Sequence, residues 1–283
     1  MTKLSQISTK TTLNIRGELV SIEKPVVMGI INYTPDSFYS NSRVETVIDA
    51  VDKAGQMLDD GATFIDLGAY STRPGNQTIS EEEELGRLLP VLKEIMRQFP
   101  KAYISIDTFR AKVASEAIHC GATLINDITA GSDPDMFNLI RDHNVPYIMM
   151  HMRGPVAQMM ENLKYDNLVL EICQYFQERL LRLREMGIKD IIIDPGFGFS
   201  KTLEQNYEVL KNLTYFEVLE VPILVGVSRK SMIYNFLETT PEEALIGTSV
   251  INFATLEKQA RILRVHDVKE AVETIKIFNK LTS

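Results

Sequence analysis

Residues 103–126 read YISIDTFRAKVASEAIHCGATLIN, and their reading decides the fold. Tyr103–Ile106 is a short, β-branched-rich run that stops at Asp107. Arg110–His119 follows with apolar residues at helical spacing, and Thr123–Ile125 then begins a second short run that stops at Asn126. Strand, helix and strand therefore follow one another within a single unit. Near-continuous apolar runs of this kind belong to strands buried on both faces, as in a parallel sheet covered by helices.

The same unit recurs in both directions. Val26–Ile31 precedes Asn32, Phe64–Leu67 surrounds Asp66, Tyr147–Met150 precedes His151, and Ile191–Ile193 precedes Asp194. Ile223–Val227 precedes Ser228 and Ile262–Val265 precedes His266. Stretches such as Val44–Asp60, Ser80–Gln98 and Leu168–Met186 carry the helical pattern between them. Eight strand–helix repeats in 283 residues predict a (β/α)8 TIM barrel, with a doubly wound open sheet as the other arrangement of such repeats. Thr12–Ile22, alternating apolar and polar around Arg16-Gly17, predicts a short N-terminal β-hairpin. No low-complexity tract or Pro/Ser-rich linker interrupts the chain, so one domain over residues 1–283 is expected.

Composition narrows the function. A net charge of −8 offers no general electrostatic footprint for nucleic acid or an anionic membrane, so cations that bind an anion must be gathered locally. The opening MTKLSQISTK lacks the apolar stretch of a signal peptide, and no run approaches the length of a membrane span. Cys120 and Cys173 have no metal-binding spacing. A cytoplasmic protein acting on small molecules is the expectation.

Barrels place their chemistry where strands end, and here nearly every strand ends in a residue that can hydrogen-bond or carry charge. Taken singly, these residues serve equally as helix caps and turn formers. Together they favour one polar site at one mouth. The segment 70–75 (YSTRPG) sets Arg73 between hydroxyls and a rigid turn, which suits an anion as well as an exposed loop. The glycines of 194–201 (DPGFGFSK) allow either close ligand approach or a tight strand-to-helix turn, and their spacing matches neither common nucleotide motif. Ser228-Arg229-Lys230-Ser231 puts two cations and two hydroxyls at an expected helix start.

Taken in order, NYTPDSF, DLGAYSTRPG, SIDTFRAKVA, LINDITAG, MMHMRG, IIDPGFGFSK, VGVSRKSMI and RVHDV resemble the dihydropteroate synthase family from about Val26 to Asp267. The resemblance implies a TIM barrel, dimeric as a rule. Such an enzyme, a transferase of folate biosynthesis, joins 4-aminobenzoate to 6-hydroxymethyl-7,8-dihydropterin diphosphate. It releases pyrophosphate and forms 7,8-dihydropteroate. Carried over, the resemblance implies that Asp107, Asn126, Asp194 and Lys230 surround the pterin, with Met150 and Phe199 as apolar walls. A carboxylate such as Asp194 can accept the paired donors of the pterin, Asn126 offers donor and acceptor, and Lys230 donates to the ring carbonyl. Arg264 and His266, with Val265 backbone between them, would hold the diphosphate together with Thr72 and Arg73. Asp107, Lys230 and Arg264 are the implied catalytic residues, Asp107 favouring positive charge on the pterin as diphosphate departs. Asn32 would bind Mg²⁺, the implied cofactor, whose remaining oxygens come from water and phosphate.

For 4-aminobenzoate the implied residues are Phe38, Thr72, Arg73, Pro74 and Ser231. Loops Asn32–Ser42 and Tyr70–Gln77 are expected to order around bound pyrophosphate. Two stretches depart from the family pattern: Tyr39-Ser40-Asn41-Ser42, where Gly and Asp are frequent, and Gly68-Ala69-Tyr70, where Gly and Glu are. His119, His143 and His151 receive no site role, and Met57, Met96 and Met186 are expected in the core. A methyltetrahydrofolate-binding methyltransferase would share a related pterin pocket without needing the STRPG and SRKS loops. A non-catalytic pterin-binding paralogue would lack some of Asn32, Arg73, Asp107, Lys230 and His266, and all five are present.

Overall fold

The computed structural model describes residues 10–34, 46–70, 78–161 and 163–283. Strands β1 (Thr12–Ile15) and β2 (Glu18–Ser21) form the N-terminal antiparallel hairpin. Both turn residues, Arg16 (φ 54°) and Gly17 (φ 83°), are left-handed, as a two-residue hairpin turn with matching twist requires. Arg16 is held there by donating to the carbonyls of Pro100 and Gly121.

Eight parallel strands then alternate with helices: β3 (Val26–Asn32), α1 (Val47–Asp59), β4 (Phe64–Gly68), α2 (Glu81–Gln98), β5 (Tyr103–Asp107), α3 (Ala111–His119) and β6 (Leu124–Asp127). The series continues with α4 (Met136–His143), β7 (Tyr147–Met150), α5 (Leu168–Glu185), β8 (Ile191–Asp194) and α6 (Leu203–Lys211). It ends with β9 (Ile223–Val225), α7 (Ser231–Tyr234), α8 (Leu245–Leu256), β10 (Ala260–Val265) and α9 (Val268–Thr282). The strands close in the order β10-β3-β4-β5-β6-β7-β8-β9, which confirms the barrel over the open sheet. Helix starts follow ordinary chemistry: Thr46 and Asp49 form a reciprocal capping box on α1, and Thr202 and Gln205 form another on α6.

Alternation along each strand sorts the side chains. One set, including Ile31, Ile65, Ile104, Ile125, Met149, Ile193 and Leu263, packs outward under the helices. The other set points into the barrel, where Met28, Phe64, Leu124, Ile148, Ile192, Leu224 and Ile262 share a core with Leu13, Ile15 and Ile22 of the hairpin segment. The hairpin is thus a plug across the N-terminal end. Each of its fully buried aliphatic side chains contributes roughly 1.5–3 kcal/mol. Above that apolar layer, at the C-terminal end, the inward positions turn polar.

Candidate active site

The register places the polar layer. Two residues on from the inward Phe64, Leu124, Ile192 and Ile262 come Asp66, Asn126, Asp194 and Arg264, all pointing to the same interior. Arg264 reaches across β3: its Nε lies 2.6 Å from Asp66 Oδ2 and its Nη2 lies 2.7 Å from Asp107 Oδ2. Asn126 Nδ2 donates to the same Asp66 oxygen at 2.9 Å. Burial opposes the charge of Arg264, but Asp66 and Asp107 outweigh it and hold its pKa above the ordinary value. Burial raises the pKa of Asp107, with Arg264 opposing and neighbouring carboxylates, Asp66 first, adding to the rise. Asp66 is fully buried, and its Oδ1 has no hydrogen-bond partner among the described residues.

Opposite this network stand Asp194 and Lys230. Asp194 Oδ1 accepts the Gly196 N–H at 2.8 Å. Its Oδ2 faces Gly226, where a Cβ would stand 3.8 Å from that oxygen and from the Arg264 side chain. Burial pushes the Asp194 pKa up, Lys230 chiefly opposing. Burial also pulls Lys230 down to about 8, with Asp194 opposing. Lys230 Nζ donates to the Phe197 carbonyl and lies 4.8 Å from the centre of the Phe199 ring. Met150 and Phe199 share a small apolar cluster with Ile128, Met152 and Met159. One wall of the mouth is therefore greasy and the other charged.

The rim completes the picture. Asn32 and Asp107 end neighbouring strands on either side of Gly68, where an added Cβ would meet Asp107 Cβ at 3.3 Å and Asn32 Oδ1 at 3.6 Å. His266 follows β10; its N–H donates to Ser228 Oγ, which also lies 3.1 Å from His266 Nδ1. Burial, with Arg264 adding, lowers His266 to about 3, so the ring is neutral. Val265 turns its side chain outward into the helical layer. Ser231 is exposed at the start of α7. Phe38, Thr72, Arg73 and Pro74 lie outside the described residues, as does most of loop Asn32–Ser42.

The remaining cations and histidines have structural work. Arg229 (φ 52°) makes a two-point ion pair with Asp267 rather than joining Lys230 in the mouth. Arg110 pairs with the buried Glu84, donates to the Ile79 carbonyl and lies 5.3 Å from the Tyr70 ring, so it ties both flanks of 71–77. His119 and His143 pack edge-to-face at the far ends of α3 and α4. His151 is buried beside Lys201 and Tyr175, and burial holds its pKa well below the ordinary value. A cavity of about 520 Å³ opens between 151–154 and α5, but Asp107, Asp194, Lys230 and Arg264 are not on its wall. Sequence reading noted Asp66 inside an apolar strand and Lys201 at the end of DPGFGFSK, but gave neither a site role; the signal for Asp66 was a carboxylate inside an apolar strand.

The pattern has known counterparts. The model of the pterin binding enzyme family matches residues 28–266. The dihydropteroate synthase of Escherichia coli is 41% identical over 264 residues, covering 93% of each chain. That of Clostridium beijerinckii is 43% identical over 252 residues, covering 88% of this chain and 91% of its own. The Yersinia pestis dihydropteroate synthase, solved with a sulfonamide drug complex, superimposes with a TM-score of 0.91 at 39% identity, over 96% of this chain and 99% of its own. The Xanthomonas albilineans enzyme, solved with 4-aminobenzoic acid, gives 0.89 at 34% identity, over 97% and 99%. With the family model matching residues 28–266 and relatives this similar over nearly all of their length, the chain belongs to the dihydropteroate synthase family of pterin-binding enzymes.

Proposed function

We propose that the barrel mouth joins 4-aminobenzoate to 6-hydroxymethyl-7,8-dihydropterin diphosphate, with the pterin held edge-on between Asp194, Asn126 and Lys230. The observation that carries this reading is the arrangement of two opposed charged sets around the side-chain-free Gly226: Asp194 with Lys230, and Arg264 with Asp66 and Asp107. Asp194 keeps Oδ2 for the paired donors of the pterin, since Oδ1 is committed to Gly196. Lys230 donates to the ring carbonyl, and Met150 and Phe199 cover the ring.

The bond to diphosphate breaks first, its electron pair leaving with pyrophosphate, because an aniline-type amine is a weak nucleophile. The cation left on the pterin is stabilised by the nearby Asp107 carboxylate. The amine lone pair then forms the new C–N bond, and the amine proton passes to pyrophosphate or water. Arg264 and the neutral His266 face the diphosphate. Ser228 Oγ holds the His266 ring at Nδ1 from 3.1 Å, so Nε2 is the ring nitrogen left for the diphosphate.

Magnesium suits the rim. Asn32 offers one neutral oxygen beside Asp107, and among the described residues no group of three His, Cys, Asp or Glu could hold a metal. Mg²⁺ takes few protein oxygens and completes its shell with water and phosphate, so this donor set fits it. When bound, it supplies positive charge to the departing diphosphate. Thr72, Arg73, Pro74, Phe38 and Ser231 are assigned to the outer 4-aminobenzoate site, with Thr72 and Arg73 also reaching the diphosphate.

A homodimer is supported by the apolar residues Ile246 and Val250, 78% and 63% exposed on α8. No helix of the described residues is long and apolar enough to cross a membrane, and the free thiols Cys120 and Cys173 accord with a cytoplasmic setting. The deciding experiment incubates the pterin diphosphate with 4-aminobenzoate and Mg²⁺ and follows both products. Matched formation of 7,8-dihydropteroate and pyrophosphate is expected, and pyrophosphate release with no dihydropteroate formed would overturn the condensation.

A further inference from the structure

Lys201 closes the loop after β8, and the chemistry above makes no use of it. It is 2% exposed, among the largest fully enclosed side chains of the protein. Its Nζ lies 2.9 Å from the Gly196 carbonyl, 3.1 Å from the Phe199 carbonyl and 3.1 Å from His151 Nδ1. Burial pulls its pKa down to about 7, with Asp194 opposing, and below that pH the three protons of the ammonium have three acceptors in place. With His151 neutral, Nδ1 is free to be one of those acceptors.

The same region is fastened at several further points. The His151 N–H donates to the Asp194 carbonyl at 2.9 Å. Arg153 N–H donates to Ser200 Oγ, and the Tyr165 hydroxyl donates to the Ser200 carbonyl. Gly196 (φ 73°) presses so closely that a Cβ there would stand 2.1 Å from the His151 carbonyl oxygen. The segment clasped by Lys201, residues 196–199, supplies the carbonyl that receives Lys230 and the ring that faces it.

We infer that Lys201 is a positioning residue for the pterin: its ammonium fixes the 196–199 segment against the loop after β7 and stands as a positive charge behind Asp194. This rests on the reading that Asp194 accepts the pterin donors. The charged groups acting on Asp194 are Lys230 from the loop after β9, Arg264 from β10 and Lys201 itself, and those acting on Lys201 are Asp194, Lys230 and Arg153, with His151 in contact. Removing Lys201 leaves Asp194 with less positive charge around it, so its protonation moves to higher pH.

The test is Lys201→Met, which keeps most of the stem and deletes the donors. Calorimetry with 6-hydroxymethylpterin, which carries no diphosphate, is expected to show at least a 10-fold loss of affinity. The acid limb of binding should move to higher pH, while pyrophosphate affinity changes less than 2-fold. Unchanged pterin affinity, or equal losses for pterin and pyrophosphate with no movement of the limb, would overturn the inference. Asp194→Asn separates the two readings. If it binds pterin as the parent does, the Asp194 assignment fails; if it loses binding while Lys201→Met does not, only the Lys201 inference fails. Should Lys201→Met not fold, the unmodified protein still decides the matter by NMR. A solvent-protected Lys201 ¹⁵Nζ signal that shifts on pterin addition supports the inference, and a freely exchanging or unresponsive one overturns it.

Discussion

Asp66 secures Arg264 from two strands away: its Oδ2 lies 2.6 Å from Nε, and the guanidinium then reaches on to Asp107. A long, flexible side chain is thereby fixed at both edges of its planar fork, leaving its remaining N–H groups directed by the protein and not by solvent. Removing one partner of a buried ion pair costs about 3–5 kcal/mol. Asp66→Ala is therefore expected to lower kcat/KM for the pterin diphosphate by roughly 100-fold or more, with Asp66→Asn retaining more activity. Steady-state kinetics within 3-fold of the parent for Asp66→Ala would show that Arg264 needs no such support.

Asp194→Ala should weaken binding of the pterin ring itself. The ring donors would lose a buried charged acceptor, a truncation worth about 2–5 kcal/mol. Calorimetry with the bare pterin alcohol isolates this loss from the diphosphate contacts, and parental affinity would remove Asp194 from the pocket.

His266 and Arg264 separate in their effects because their surroundings differ. His266 contacts Ser228 at the rim, whereas Arg264 is built into the Asp66–Asp107 network. His266→Ala is expected to weaken the diphosphate substrate about 10-fold more than the pterin alcohol, while Arg264→Ala weakens both. Paired titrations with the two ligands decide it; equal losses for His266→Ala would place that residue with the ring or the fold.

Lys230 sets an alkaline limit. Burial lowers it to about 8, and in the proposed site its charged form is the strong donor to the pterin carbonyl. Activity that depends on this donor is present below that pH and declines as pH rises through it. A pH profile of kcat/KM should therefore fall above about pH 8, and Lys230→Arg, which stays charged, should carry whatever activity it retains to higher pH. A flat profile to pH 10 would exclude that dependence.

Acid should weaken folding through His266. Its folded pKa of about 3 lies below the ordinary imidazole value of 6.5, so the unfolded chain binds more protons between those values. Its contribution is present above pH 6.5 and is lost as pH falls through that window. His266→Gln should flatten the loss of Tm between pH 6.5 and 4.5, and an unchanged slope would assign acid sensitivity elsewhere.

The barrel was legible because both faces of its strands are buried, which leaves unbroken apolar runs that a polar surface could not produce. Strand ends were legible for the same reason: Asp107, Asn126, Asp194 and His266 mark where burial stops or turns polar. Asp66 was harder, since a carboxylate in mid-strand is explained by Arg264 arriving from 198 residues away, with Asn126 beside it. Arg229 and Lys230 are chemically alike in sequence. The left-handed backbone at Arg229 turns one toward Asp267 and leaves the other for the mouth, a division that no spacing rule reveals.

The hairpin plug makes the barrel a well with a single opening. Its floor is closed by Leu13, Ile15 and Ile22, so everything that enters at the C-terminal rim must leave there. Asp194 and Asn126 lie below the rim, buried in the wall, while Ser231 is exposed at the top. With the pterin site proposed at that depth and the aminobenzoate site proposed at the top, the pterin is expected to descend first, and an aminobenzoate that arrives before it would act as a stopper. One doorway shared by two substrates would impose an order on them, so that at high aminobenzoate concentration a substrate becomes an obstruction.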